Sequence, residues 1–172
     1  SDLKGGATMK HAVRSAGTLL LMGTLMMGTG FAACAEEVVE PAGYHVYENT
    51  DDSATDTWYG IARGTYLKSG ASSLTKQDST HALCTGNTAA HSKCDRVYVR
   101  IYLDQSSTGK SGSWGTIDYW TGTAANATVA TVSSGSYKVT ANKYYRATGA
   151  HSVTEGTTTE ATDTTSNSLK FN

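Results

Sequence analysis

The stretch Arg96-Val-Tyr-Val-Arg-Ile-Tyr-Leu-Asp104 decides the fold. Val97, Val99, Ile101 and Leu103 alternate with Tyr98, Arg100, Tyr102 and Asp104, so an extended chain turns one aliphatic face and one aromatic, charged face. β-Branched and aromatic residues suit such a strand, and its aliphatic side needs a second layer to cover it. Next come the loop Gln105-Ser-Ser-Thr-Gly-Lys-Ser-Gly112 and a second alternating run, Ser113-Trp-Gly-Thr-Ile-Asp-Tyr-Trp-Thr121. Two alternating runs around a Gly/Ser-rich loop predict an antiparallel hairpin.

Working outward, residues 43–47 read as a first short strand and 49–53 as a polar turn. Residues 58–68 read as a strand bent at its glycines, 69–73 as a turn, and 74–85 as one or two weak strands. Beyond the hairpin, strands are expected at 128–133, 136–141, 144–153 and 168–171. Abundant Thr and Ser with modest charge favour short strands over helices. Strands at such intervals predict an all-β domain over residues 43–172, a β-sandwich of about seven to eight antiparallel strands.

The start of the chain reads differently. Met9-Lys-His-Ala-Val-Arg14 is a basic head, residues 16–31 are apolar, and Ala32-Ala-Cys-Ala35 supplies small residues. This is the layout of a secretory signal peptide, assigned to residues 9–35. Residues 1–8 precede Met9, and Lys4-Gly5-Gly6 reads as a translated ribosome-binding site, so they are taken as an untranslated leader or an extension. Two processing modes remain open: cleavage after Ala35, or lipidation of Cys34 in the lipobox-like Phe31-Ala-Ala-Cys34. Residues 36–42, with Pro41, read as a linker.

Removing residues 1–35 leaves 11 basic against 14 acidic side chains. Without a basic stripe, the chain lacks the electrostatic footprint of a nucleic-acid binder. Membrane association is expected only if Cys34 carries lipid.

His81-Ala-Leu-Cys84 and His91-Ser-Lys-Cys94 repeat a His-x-x-Cys spacing. Imidazole and thiolate could close a tetrahedral zinc site, but residues i and i+3 of a strand face opposite sides. Exported cysteines tend to pair, so a Cys84–Cys94 disulfide across a hairpin is the expectation, ahead of two free thiols and of a metal site, and no cofactor is expected. The four histidines of the mature chain, His45, His81, His91 and His151, have no Gly-x-Ser-x-Gly elbow beside them. No catalytic residue is assigned. The aromatic residues Tyr98, Tyr102, Trp114 and Trp120 either pack across strands to stiffen the sheet, the favoured reading, or form a candidate binding face, because aromatic side chains offer large contact area at small entropic cost.

Tyr144-Tyr-Arg-Ala-Thr-Gly-Ala-His-Ser-Val-Thr-Glu-Gly-Thr157 resembles the penultimate strand of fibronectin type III and related immunoglobulin-like domains. That resemblance implies that Tyr144 or Tyr145 braces a corner through its hydroxyl. More broadly, Val-Tyr-Val-Arg-Ile-Tyr-Leu, the two tryptophans and Tyr-Tyr-Arg-x-x-Gly-x-His look like small exported proteins of Gram-positive bacteria with no assigned activity. The implied location is extracellular or on the cell surface, and no functional residue comes with the likeness. The expected role is a secreted non-enzymatic module that binds an extracellular protein or glycan. A secreted cell-wall or glycan hydrolase and an exported toxin or bacteriocin-like protein are the alternatives.

Overall fold

The computed structural model describes residues 37–61 and 65–172. The leader, the signal peptide and Cys34 lie outside them. Every regular element among the described residues is a strand, so the domain is all-β. In chain order the strands are β1 (Glu37–Val39), β2 (Gly43–Asn49), β3 (Ser53–Gly60), β4 (Leu67–Lys76), β5 (His81–Ser106), β6 (Gly115–Ser133), β7 (Tyr137–Lys138), β8 (Lys143–Glu155), β9 (Thr158–Thr165) and β10 (Leu169–Phe171).

They form one mixed sheet with the main order β1-β9-β8-β5-β4-β3-β2. β5 is its spine. On one side it pairs first with β4 (residues 82–90) and then with β8 (residues 96–106), and on the other it pairs with β6 over residues 85–105. β1 runs parallel to β9, whereas the other pairings are antiparallel. The register between β5 and β6 breaks between Ala89 and Cys94, near Asn126 with φ at 52°. Such an irregularity bends a strand pair.

The sheet therefore curls, and the β3–β4 half faces the β8–β9 half. The expected sandwich had seven or eight antiparallel strands in separate sheets. The described residues instead form ten strands in one mixed sheet. The reason is length: β5, at 26 residues, and β6, at 19, run through the bend and carry the hydrogen bonding round it.

The predicted hairpin is present at the centre. Val97, Val99, Ile101 and Leu103 are buried on the inner face, and Ile101 lies opposite Trp120. Leu67, Leu74, Val153 and Phe171 join them in the core. Closeness of the facing halves explains one misread segment. Residues 69–73, read as a turn, are the middle of β4; a Cβ at Gly70 would overlap the His151 imidazole. Gly86 on β5 likewise lies beneath Ile101. Small side chains there permit contact between halves; they do not break a strand.

Three other assignments differ. The run read as one strand at 58–68 is split between the end of β3 and the start of β4. The linker contributes β1, which adds to β9, and the Thr-rich β9 itself was not anticipated. Tyr145 is the bracing tyrosine of the pair. Its hydroxyl donates to the Thr140 carbonyl (3.0 Å) and accepts from Thr140 N–H (2.9 Å) and Gln105 Nε2 (2.6 Å).

Polar groups join the two halves. Asp56 on β3 accepts a hydrogen bond from Thr165 N–H of the β9 end (2.7 Å), and Glu160 on β9 accepts from Tyr66 N–H (2.8 Å) and Leu67 N–H (2.6 Å). Between them lies a buried chain. Thr164 Oγ1 donates to Ser72 Oγ (2.8 Å), which leaves it to accept from His151 Nε2–H (2.8 Å), so Nδ1 accepts from Thr88 Oγ1 (2.8 Å). That assignment makes His151 neutral.

Ile101→Ala removes a side chain packed against Gly86 and should cost about 2–5 kcal/mol, read as a lower denaturation midpoint. Burial pushes the His151 imidazole down to about 4, only partly opposed by the Asn87 backbone. The unfolded chain binds this proton near pH 6.5 and the folded one near 4, so stability is full above the first value. It should fall by about 3 kcal/mol as pH drops to the second. In His151→Gln, which is less stable at neutral pH, the slope of melting temperature across that window should flatten.

Candidate binding face

The outer face of β6, β5 and β8 carries the hairpin's other residues. Register places Tyr98, Arg100 and Tyr102 of β5 beside Thr123, Thr121 and Tyr119 of β6, and beside Ser152, Ala150 and Thr148 of β8. The Tyr102 and Tyr119 rings are 6.1 Å apart. Arg100 holds Thr121 Oγ1 through Nε (3.2 Å), and its guanidinium lies 5.0 Å from the Tyr119 ring and 5.8 Å from the Tyr98 ring. Arg96 stands over the same Tyr98 ring at 5.0 Å. A hydrogen bond to Tyr102, followed by the Tyr98, Tyr102 and Tyr119 phenols, raises the Arg100 pKa above its ordinary value.

One end of the face is closed by a neutralised arginine. Asp104, nearly buried, accepts from Thr116 Oγ1 (2.7 Å), Thr148 Oγ1 (2.9 Å) and Arg146 Nε (3.1 Å), and Arg146 stacks 4.5 Å from the Trp114 ring. Arg96 and Arg100 differ in this respect. Among the described residues, neither forms an ion pair with a carboxylate.

The expected aromatic set is thus only partly assembled. Tyr98 and Tyr102 lie on this face, and Trp114 covers Arg146 at its end. Trp120 points inward beside Ile101 and meets Tyr137 edge-on at 5.2 Å. The cause is a register shift between Leu103 and Asp104, which puts Trp114 and Trp120 on opposite faces despite their even spacing. Tyr119, Arg96 and Arg100 were not singled out from sequence. The signal that could have found the arginines is their i and i+4 spacing around Tyr98, which places all three on one face.

The cysteines correct an expectation. Cys84 and Cys94 are free and buried, and both lie on β5 with no reversal between them. Ten strand residues span up to about 33 Å, whereas a disulfide needs Cα atoms roughly 4.4–6.8 Å apart. The predicted hairpin turn between them does not form, because residues 85–93 continue as strand. Cys84 points inward while His81 bonds Asp78 through Nδ1 (2.9 Å) on the partly exposed side. Among the described residues no cluster of three or more His, Cys, Asp or Glu could hold a metal ion.

Elsewhere, His45 Nδ1 pairs with Asp56 (3.0 Å). Among the described residues no hydroxyl or thiol hydrogen-bonds to His45. A trough of about 500 Å³ over β4, β5 and β6 is lined by residues that include Ser73, Thr85, Asn87, Thr131 and Val132, and presents no titratable side chain. No described helix is long and apolar enough to cross a membrane.

Residues 32–169 match the family of unknown function DUF6147. The chain belongs to this family. No curated protein and no solved structure matches it. Membership of DUF6147 therefore leaves the chemistry of the face to be argued from its own residues.

Burial pushes the Cys84 thiol up to about 12, which keeps it protonated and slow to alkylate. The peptides containing Cys84 and Cys94 should be unmodified by iodoacetamide in the folded protein and fully modified in denaturant without reductant. A linked pair in non-reducing peptide mapping would contradict this.

Proposed function

We propose that the protein is an exported, non-enzymatic binding module whose β6–β5–β8 face takes an anionic glycan at or outside the cell surface. The curled sheet serves as its sandwich-like scaffold, and the basic head, apolar run and Ala32-Ala-Cys-Ala35 segment provide its route out of the cell. The observation that carries the reading is the unneutralised pair Arg96 and Arg100 against one tyrosine ring. Carboxylates outnumber cations in this chain, yet these two guanidiniums have none, while Arg146 on the same face does.

Tyrosine rings offer flat apolar surface to the faces of sugar rings, and guanidinium forks match carboxylate, phosphate or sulfate groups. The hydrolase alternative draws on the His45–Asp56 pair, which has a base and its orienting carboxylate. A nucleophile within reach would complete such a site, and the described geometry offers none.

Titration of the purified protein with a soluble polyuronate, a polyol phosphate polymer and a neutral glucan tests the reading. Binding should favour the charged polymers and weaken with salt. Arg100→Ala should lose about 1.5–3 kcal/mol, roughly tenfold to a hundredfold in affinity, whereas Lys110→Ala in the β5–β6 loop should not change it. Equal affinity for the neutral glucan, or no loss in Arg100→Ala, would overturn the proposal.

A further inference from the structure

We propose that β2 is an association edge through which two copies of this chain pair antiparallel, joining their sheets. The inference is independent of the ligand reading, since β2 lies at the far end of the sheet order from β8 and β9. Among the described residues, β2 is hydrogen-bonded on one side only, to β3.

The backbone phase of that pairing is known. Ile61 N–H donates to the Ala42 carbonyl (3.1 Å) and Thr50 N–H to the Ser53 carbonyl (2.7 Å), and the register between those bonds is unbroken from Gly43 to Asn49. Because exchanged pairs alternate along an antiparallel ladder, residues 44, 46 and 48 spend their groups on β3. The N–H and C=O of Gly43, His45, Tyr47 and Asn49 therefore point away from the sheet.

Those outward groups are self-complementary about Val46. A two-fold axis there pairs Gly43 with Asn49 and His45 with Tyr47 of the second copy, which satisfies every outward donor and acceptor of both strands. On one face Val46 meets its own copy and Tyr44 meets Glu48. On the other, the stacked His45 and Tyr47 rings (6.1 Å) meet their counterparts. Glu48 is the one carboxylate of β2, and this register puts it opposite a phenol with the two Glu48 residues at opposite ends.

The edge also lacks protection. All seven residues of β2 are exposed, and Tyr44, Val46, Tyr47, Tyr59 and Ile61 gather there as exposed large apolar side chains. Sheet edges are usually guarded by lysine, proline, a bulge or shortness, and Gly43–Asn49 has none of these. Other edge strands among the described residues are short or irregular: β1 and β10 have three residues each and β7 two, and the register of β6 is broken near Asn126 and again near Ile117.

Sedimentation equilibrium of the natively processed protein tests the pairing. The apparent mass should rise from one chain to two with concentration. Tyr47→Pro removes an outward N–H and leaves the β3 bonds intact, so it should stay at one chain with an unchanged strand signal in circular dichroism. Val46→Lys and Val46→Glu should each be single chains, because like charges meet across the axis, and an equimolar mixture of the two should recover the two-chain mass. A parent that stays single at every concentration would overturn the inference. So would pairing that survives Tyr47→Pro, or charge variants that do not rescue each other. Loss of glycan binding through Arg100→Ala with pairing intact would keep this result separate from that of the ligand face.

Discussion

A sheet that curls until its inner face meets itself must bring backbone ends together where no ladder can satisfy them. Glu160 meets that constraint: one carboxylate oxygen takes both Tyr66 and Leu67 N–H, at the point where β4 begins beneath β9. Asp56 does the same in the opposite direction, reaching from β3 to Thr165 N–H. Without such acceptors each buried N–H would cost about 1–3 kcal/mol, enough to favour opening at the seam. Continuity of β5 and β6 through the bend supplies one side of the closure, and these carboxylates supply the other.

The same constraint explains the polar interior. Ser72, Thr88, His151 and Thr164 are buried between the halves, yet no buried side-chain N or O atom among the described residues lacks a partner. A chain of hydroxyls around a neutral imidazole tolerates burial because each donor has one acceptor and no net charge is desolvated. The chain also brings the halves into contact, because the His151 ring lies against Gly70, which makes room for it. This accounts for a buried histidine with two hydroxyl neighbours as a structural part of the seam.

What was legible in the sequence was local. Alternation at Val97 to Leu103 identified the central strand and its buried face, and the Tyr-Tyr pair at 144–145 contained the bracing hydroxyl, because both depend on residues close in the chain. What was not legible depended on pairing. Small residues at 69–73 look like a turn until His151 is placed above Gly70, and the Cys84–Cys94 spacing suits a hairpin only if β5 reverses, which it does not. The face assigned to Trp120 was lost to a single register shift, since a shift of one residue moves every following side chain to the opposite side. Length is the hardest property of all to read. Nothing in the periodicity of 81–90 and 96–106 says that one strand carries both.

That division between inside and outside bears on function. Because closure uses Asp56 and Glu160 internally, two carboxylates are withdrawn from the surface, and His45 is oriented by one of them at the rim. The outer face of β5 is then left with arginines that lie over phenol rings, with a threonine hydroxyl beside Arg100 and, among the described residues, no carboxylate ion-paired to either. A guanidinium over a phenol keeps its charge and part of its hydrogen-bonding fork available, unlike one held by a carboxylate as Arg146 is. A surface arranged only to stiffen the sheet would gain as much from an Asp or Glu across from Arg100, and register places Thr121 and Ala150 there. The absence of a carboxylate at both cross-strand positions is the feature on which the proposed anionic ligand rests.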